Sequence, residues 1–191
     1  LNHEFDGAWN PSGESLAWVQ VPELSVNDVI WAQWGNPLLT SVPVFSTNAS
    51  TWADGFTTVW HMNETSARDS SGRDHHGSVQ GGVASVPGMI GLANEFDPGE
   101  YISVVGSPDF RMYSYDFSMS AWVYSHNNSG EHGIFGTWGS QFIFGVRSGY
   151  VAFHANGQVF WSSTAPIALD AWSYVTITRK GTAWNVYVDG V

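Results

Sequence analysis

Carboxylates placed in turn-rich loops are the first residues with chemistry to offer. Asp69 and Asp74 lie in the segment Asp69-Ser-Ser-Gly-Arg-Asp-His-His-Gly77, and Asp97 and Glu100 flank a Pro-Gly turn. Carboxylates joined to loop carbonyls are what a hard cation such as Ca2+ prefers. The alternative for each single residue is a turn stabilised by side-chain to backbone hydrogen bonds. His75 and His76 are adjacent, so on a strand they point to opposite faces and cannot chelate one ion together. His61 is expected to hydrogen-bond within its strand, and His126 and His132 to be solvated. The catalytic patterns are missing: the sequence has no Glu-x-Asp-x-Glu run, no Gly-x-Ser-x-Gly and no His-Glu-x-x-His. It has no cysteine, which excludes disulfides and thiolate metal sites.

Aromatic side chains are the second resource, with eleven Trp, eleven Phe and seven Tyr in 191 residues. Most are expected in a core. Trp184 alternates in phase with Val186 and Val188, so it belongs there. In the strand 150–155, Val151 and Phe153 take the inward phase, which turns Tyr150 and His154 outward. Trp138 lies in a Gly-Thr-Trp-Gly-Ser loop, and Trp161 follows Phe160 in a neighbouring strand. With Arg147 and Gln158 nearby, outward rings at Trp138, Tyr150, His154 and Trp161 would stack on sugars. Equally, they would cover an interface with an N-terminal module or a missing strand.

The elements that must position these residues are strands. Aromatic and β-branched residues suit pleated surfaces, and twenty-one Gly and eight Pro supply turns. Residues 17–22 and 28–34 read as two strands before the Gly35-Asn-Pro37 turn, and 40–55 as a loop. Further strands are expected at 56–62, 76–80, 91–96, 101–104, 116–124, 132–137, 141–147, 150–155, 158–163, 172–179 and 183–188. Many short strands at regular spacing predict an all-β antiparallel sandwich.

Seventeen acidic residues against six basic ones give a net charge of −11. Nucleic acid is therefore excluded as a partner, since no basic stripe exists to displace counterions from phosphates. An anionic membrane surface would also repel the chain, and no apolar run has the length of a membrane-spanning helix. The acidity suits neutral or cationic partners. The opening residues Leu1-Asn-His-Glu-Phe-Asp6 contain no signal peptide. Sequons occur at Asn48, Asn63 and Asn127, and the lack of disulfides favours a prokaryotic source.

Six motifs in order resemble the laminin-G-like, concanavalin-type jelly rolls of large bacterial exported proteins. They are Val59-Trp-His-Met-Asn-Glu64, the Asp69-to-Gly77 loop, Gly88-Met-Ile-Gly91 with Ala93-Asn-Glu-Phe-Asp97, Phe117-Ser-Met-Ser-Ala-Trp-Val123, Trp172-Ser-Tyr-Val-Thr-Ile-Thr178, and Tyr187-Val-Asp-Gly190. The resemblance spans residues 59–191 and implies buried tryptophans at 122 and 172. Trp122, Val123, Trp172, Val175, Trp184 and Val186 are expected to be buried. It also implies a structural Ca2+ near the loops of Asp69, Asp74, Asp97 and Glu100. Residues 1–58 resemble the C-terminal half of an associated domain family of unknown function, through Ala17-Trp-Val-Gln-Val-Pro22, Trp34-Gly-Asn-Pro37 and Thr51-Trp52. The expected division is a small N-terminal β module at 1–58 and a jelly roll at 59–191.

Both families continue beyond the ends of this chain, so it is expected to be truncated at each end. The strand 183–188 then lacks its hairpin partner after Asp189-Gly190. It is expected to be hydrogen-bonded on both edges, with a strand given by residues 1–58, a second copy or another polypeptide. The expected function is a non-catalytic extracellular, cell-surface or periplasmic module that binds glycan. The rivals are a structural or protein–protein interaction domain, and a glycan-active hydrolase or lyase.

Overall fold

The computed structural model describes every residue except 39, 64–66, 113–114, 138–141 and 156–157, and leaves the side chains of residues 155 and 158 undescribed. Two compact units follow one another, Leu1–Gly106 and Ser107–Val191. Residues 1–58 and 59–106 thus share the first unit. Among the described residues there is no α-helix, only three short 3-10 turns between strands.

In the first unit, β1 (His3–Phe5) pairs antiparallel with β2 (Ala17–Val19), placing Glu4 opposite Trp18. Next come β3 (Gly77–Gln80), β4 (Ala84–Pro87), β5 (Leu92–Glu95) and β6 (Tyr101–Val104), paired as β3–β6 and β4–β5. A Cβ on Gly77 would lie 2.3 Å from Ile102 Cγ2, so only glycine lets that first pair close.

A polar knot joins the N-terminal strands to residues 50–76. Trp52 Nε1 donates to Glu4 Oε2 at 2.5 Å, and the Ser70 hydroxyl donates to Glu4 Oε1 at 2.7 Å. His61 Nε2 stands 3.6 Å from Glu4 Oε2, and its ring stacks on Trp18 with centroids 5.1 Å apart. Burial alone would raise the Glu4 carboxyl, but His61, Ser70 and Trp52 outweigh it and hold the group below its ordinary range.

Three expectations for this region are corrected. No strand forms at 28–34, where Trp31 is 84% exposed and Trp34 and Val29 are also open to solvent. The strand at 17–22 stops at Val19, and that at 56–62 shrinks to an isolated bridge between Trp60 and Asp69. β-propensity describes a fit to a pleated neighbour, and nothing described here offers 28–34 an edge.

The second unit is an antiparallel sandwich. Its strands are β7 (Phe117–Tyr124), β8 (Glu131–Gly136), β9 (Ile143–Arg147), β10 (Tyr150–Ala155), β11 (Gln158–Pro166), β12 (Trp172–Lys180) and β13 (Ala183–Val188). One sheet has the order β11-β10-β9-β8 and the other β13-β12-β7. The inner faces meet through aromatic rings. Trp184 of β13 stacks on Trp161 of β11 at 4.1 Å and sits 4.8 Å from Phe153 of β10. Phe144, Val146, Val151, Val175 and Ile177 complete a buried core.

Of the six positions expected in that core, Val175 is fully enclosed and Val123, Trp172, Trp184 and Val186 are half-buried. Trp122 is the clear exception at 38% exposed. In β7, Phe117, Met119, Ala121 and Val123 face one way and Ser118, Ser120, Trp122 and Tyr124 the other, so a ring at 122 must point out of the sandwich.

β13 is an edge strand. Among the described residues of the second unit its hydrogen-bonded neighbour is β12 alone. Beyond β13 the pairing with β12 continues, with Asp189 N donating to Tyr174 O and Tyr174 N donating to Asp189 Oδ1, both at 2.8 Å, and a turn follows in which Val191 N donates to Val188 O.

Candidate functional site

The outer face of the four-stranded sheet is where the expected ligand residues were to gather. Register sets its rows. Glu131 of β8 faces Arg147 of β9, which faces Tyr150 of β10. The next row is Gly133, Gly145, Ala152 and Ser162. A Cβ on Gly145 would fall 2.4 Å from the His132 carbonyl oxygen, so glycine is required there and the row stays bare. Arg147, Ser148, Tyr150, Ala152, Val159 and Ser162 line a hollow of about 220 Å³.

The ion pairing on this face is unusual. Glu131 is the cross-strand neighbour of Arg147, the arrangement in which opposite charges usually meet. Its carboxylate instead reaches His154, with Oε1 3.1 Å from Nε2 though without the alignment of a hydrogen bond. Among the described residues the Arg147 guanidinium has neither an ion pair nor a hydrogen bond. It lies beside Tyr150, which is 41% exposed.

The structure therefore brings Arg147 and Tyr150 together and removes two expected partners. His154 keeps the outward phase but is only 4% exposed, because it sits on an inner strand beneath Glu131. Trp161 faces inward, since its register partner is the core residue Phe153, and Trp184 covers it. A bulge between Phe153 and His154 leaves Phe160 as the extra residue, and that ring is the exposed one of the pair. Trp138 lies outside the described residues, as does the side chain of Gln158.

The acidic loops are in the first unit. Asp69 is buried and accepts four hydrogen bonds. Val59 N and Ser71 N donate to Oδ1, and His75 N and the Ser71 hydroxyl donate to Oδ2, all at 2.9–3.0 Å. Burial would raise its carboxyl, but the three backbone N–H groups and the hydroxyl hold it below the ordinary carboxylate range. Four donors fill the lone pairs of one carboxylate, so Asp69 acts as a loop clamp. His76 Nδ1 accepts from Asp69 N at 3.0 Å, and Asp74 stands exposed, 3.6 Å from His76 Nε2. Glu100 accepts from Gly82 N at 2.6 Å and from Asp97 N at 2.9 Å, one bond per oxygen. Among the described residues no three His, Asp or Glu side chains converge as a metal site would require.

Trp122 and Trp172, expected in the core by their motifs, belong on this list too, with Tyr124 and Tyr174 beside them. Trp122, Tyr124, Trp172 and Tyr174 lie on the outer face of the three-stranded sheet, with Trp122 opposite Tyr174 and Tyr124 opposite Trp172. The signal was available in the alternation of β12, where Ser173, Val175 and Ile177 are buried and Trp172, Tyr174 and Thr176 share the opposite phase.

Residues 98–191 match the family described as "Concanavalin A-like lectin/glucanases superfamily". No curated protein and no solved structure matches the chain. The match and the two antiparallel sheets support a jelly-roll domain of the lectin-like, binding kind.

Proposed function

We propose that this chain is a non-catalytic carbohydrate-binding module of a larger exported protein, with its ligand held on the outer face of the four-stranded sheet. The observation that carries it is the Arg147 guanidinium, unpaired among the described residues, beside the exposed Tyr150 ring and over a hollow that also offers the Ser162 hydroxyl. A sugar ring has one apolar C–H face and a rim of hydroxyls. Tyr150 supplies a ring surface for the first, and the planar fork of Arg147 donates in parallel to adjacent hydroxyls. With Glu131 turned towards His154, that fork is left open to donate.

A structural Ca2+ is part of the proposal, held at the Asp97–Glu100 turn. Each Glu100 oxygen there accepts only one backbone bond. The second reading, a structural or protein–protein interaction domain, draws support from the open edge of β13, where a partner chain could add a strand.

Glycan-array screening followed by polysaccharide pull-down tests the main proposal. Wild-type protein is expected to retain at least one glycan, and Tyr150→Ala and Arg147→Ala each to weaken it by about tenfold. Binding that neither change weakens would remove this face from consideration. A chain that retains no glycan at all would favour the interaction domain.

A further inference from the structure

The outer face of the three-stranded sheet is divided along its strands. At one end stand four rings, with Trp122, Tyr124 and Tyr174 at 38%, 41% and 38% exposed and Trp172 half-buried. They are held as two cross-strand pairs, Trp122 with Tyr174 at 5.1 Å and Tyr124 with Trp172 at 5.5 Å, tilted by 47° and 71°. The Tyr174 hydroxyl donates to Ser120 Oγ at 2.8 Å, which fixes that ring while leaving its face open. Towards the other end the outward positions become Ser120 with Thr176 and Ser118 with Thr178. There the face opens into a hollow of about 490 Å³, lined by Ser118, Thr178 and Asn185 and also by Asp116, Arg179 and Lys180.

No acidic or basic side chain occupies the outward positions of β7 or β12 between Ser118 and Tyr124 or between Trp172 and Thr178. His126 and Asp170, at the aromatic end, pair with each other at 3.0 Å. We propose that this face is a second ligand surface, which takes an uncharged polysaccharide chain laid along the strands. Its pyranose rings stack on Trp122 and Tyr174, and its hydroxyls bond to Ser118, Thr178 and Asn185. This extends the carbohydrate function proposed above to the other sheet, on separate residues.

The chemistry selects the occupant. An anionic polymer would meet no cation among the rings, only Arg179 and Lys180 beside Asp116 in the hollow, and a chain of net charge −11. A second copy of the chain would bring the same −11 against it. A wholly apolar partner would bury the Ser and Thr hydroxyls at 118, 120, 176 and 178 without matching them. A neutral sugar chain satisfies both halves of the face. Rings already locked in place lose little freedom when it binds.

Affinity electrophoresis of the whole chain through native gels containing hydroxyethylcellulose or galactomannan tests this, with far-UV circular dichroism as the check on folding. The expected results are retardation of the wild type in one of these gels, a loss of about fivefold or more for Trp122→Ala and Tyr174→Ala, and near-retention for Trp122→Phe and Tyr174→Phe. Retardation is expected to persist in an Arg147→Ala/Tyr150→Ala double variant and to vanish when Trp122→Ala is added. If the double variant alone abolishes retardation, the Arg147 face stands and this one falls. Absence of retardation in both gels, or Phe variants as weak as the Ala variants, would also overturn it. So would a concentration-dependent dimer in sedimentation velocity that Tyr174→Ala disperses, which would give the face to a second copy.

Discussion

Asp69 spends both carboxylate oxygens on its own loop, accepting from Val59, Ser71 and His75 backbone N–H groups and the Ser71 hydroxyl. Since these bonds favour the charged form, its carboxyl is held below the ordinary range. A depressed folded-state value means that the stabilisation is complete above the unfolded carboxylate range and is lost as pH falls through the folded value. Glu4 contributes with the same sign. Thermal melts are expected to be level from neutral pH down to the ordinary carboxylate range and to fall below it. Asp69→Asn is expected to cost about 2–4 kcal/mol at neutral pH, since an amide places N–H groups against backbone donors, and to flatten part of the acid slope. A variant with wild-type stability and an unchanged slope would show that the clamp contributes nothing.

At the scale of the strand, register decides what each face can do. Gly133 and Gly145 leave a bare row between Arg147 and His154, and Gly145 lies where a Cβ would press on the His132 carbonyl at 2.4 Å. Gly145→Ala is expected to push β8 and β9 apart and to lower stability by about 1–3 kcal/mol in urea titration. If the variant unfolds at the wild-type midpoint, the close approach of those strands is not needed. Across the sandwich, the stacking of Trp161 on Trp184 ties β11 to β13 and leaves Trp161 half-buried. Among the described residues β13 has a strand on one edge only, and a strand-donating partner would use the other.

For the molecule as a whole, charge and loop chemistry set the conditions under which it works. A net charge of −11 on 191 residues disfavours anionic partners, which fits the uncharged glycan proposed as ligand. It also makes a bound divalent cation an effective stabiliser, since an ion that binds only the folded state raises its stability by mass action. If Ca2+ sits at the Asp97–Glu100 turn, millimolar Ca2+ is expected to raise the melting midpoint, a chelator to reverse the rise, and Glu100→Gln to abolish it. An identical midpoint in Ca2+ and in chelator would remove the ion from the account.

The sequence by itself determined the class, the strands of the second unit and the inward phase of Val151, Phe153, Trp184 and Val186. Those features depend on local alternation and turn residues, which each segment carries alone. It also held the phase of Trp122 and Trp172, but their match to a motif with buried tryptophans put both in the core. Only the tertiary structure decided the rest. Residues 28–34 have strand composition yet no partner, because a strand is completed by its neighbour. His154 has the outward phase of Tyr150 but lies under Glu131, since exposure depends on what crosses a face as well as on which face it is. Trp161 turned inward because pairing with Phe153 fixed its side of the sheet. Cross-strand register joins residues far apart in the chain, and no periodicity within one segment contains it.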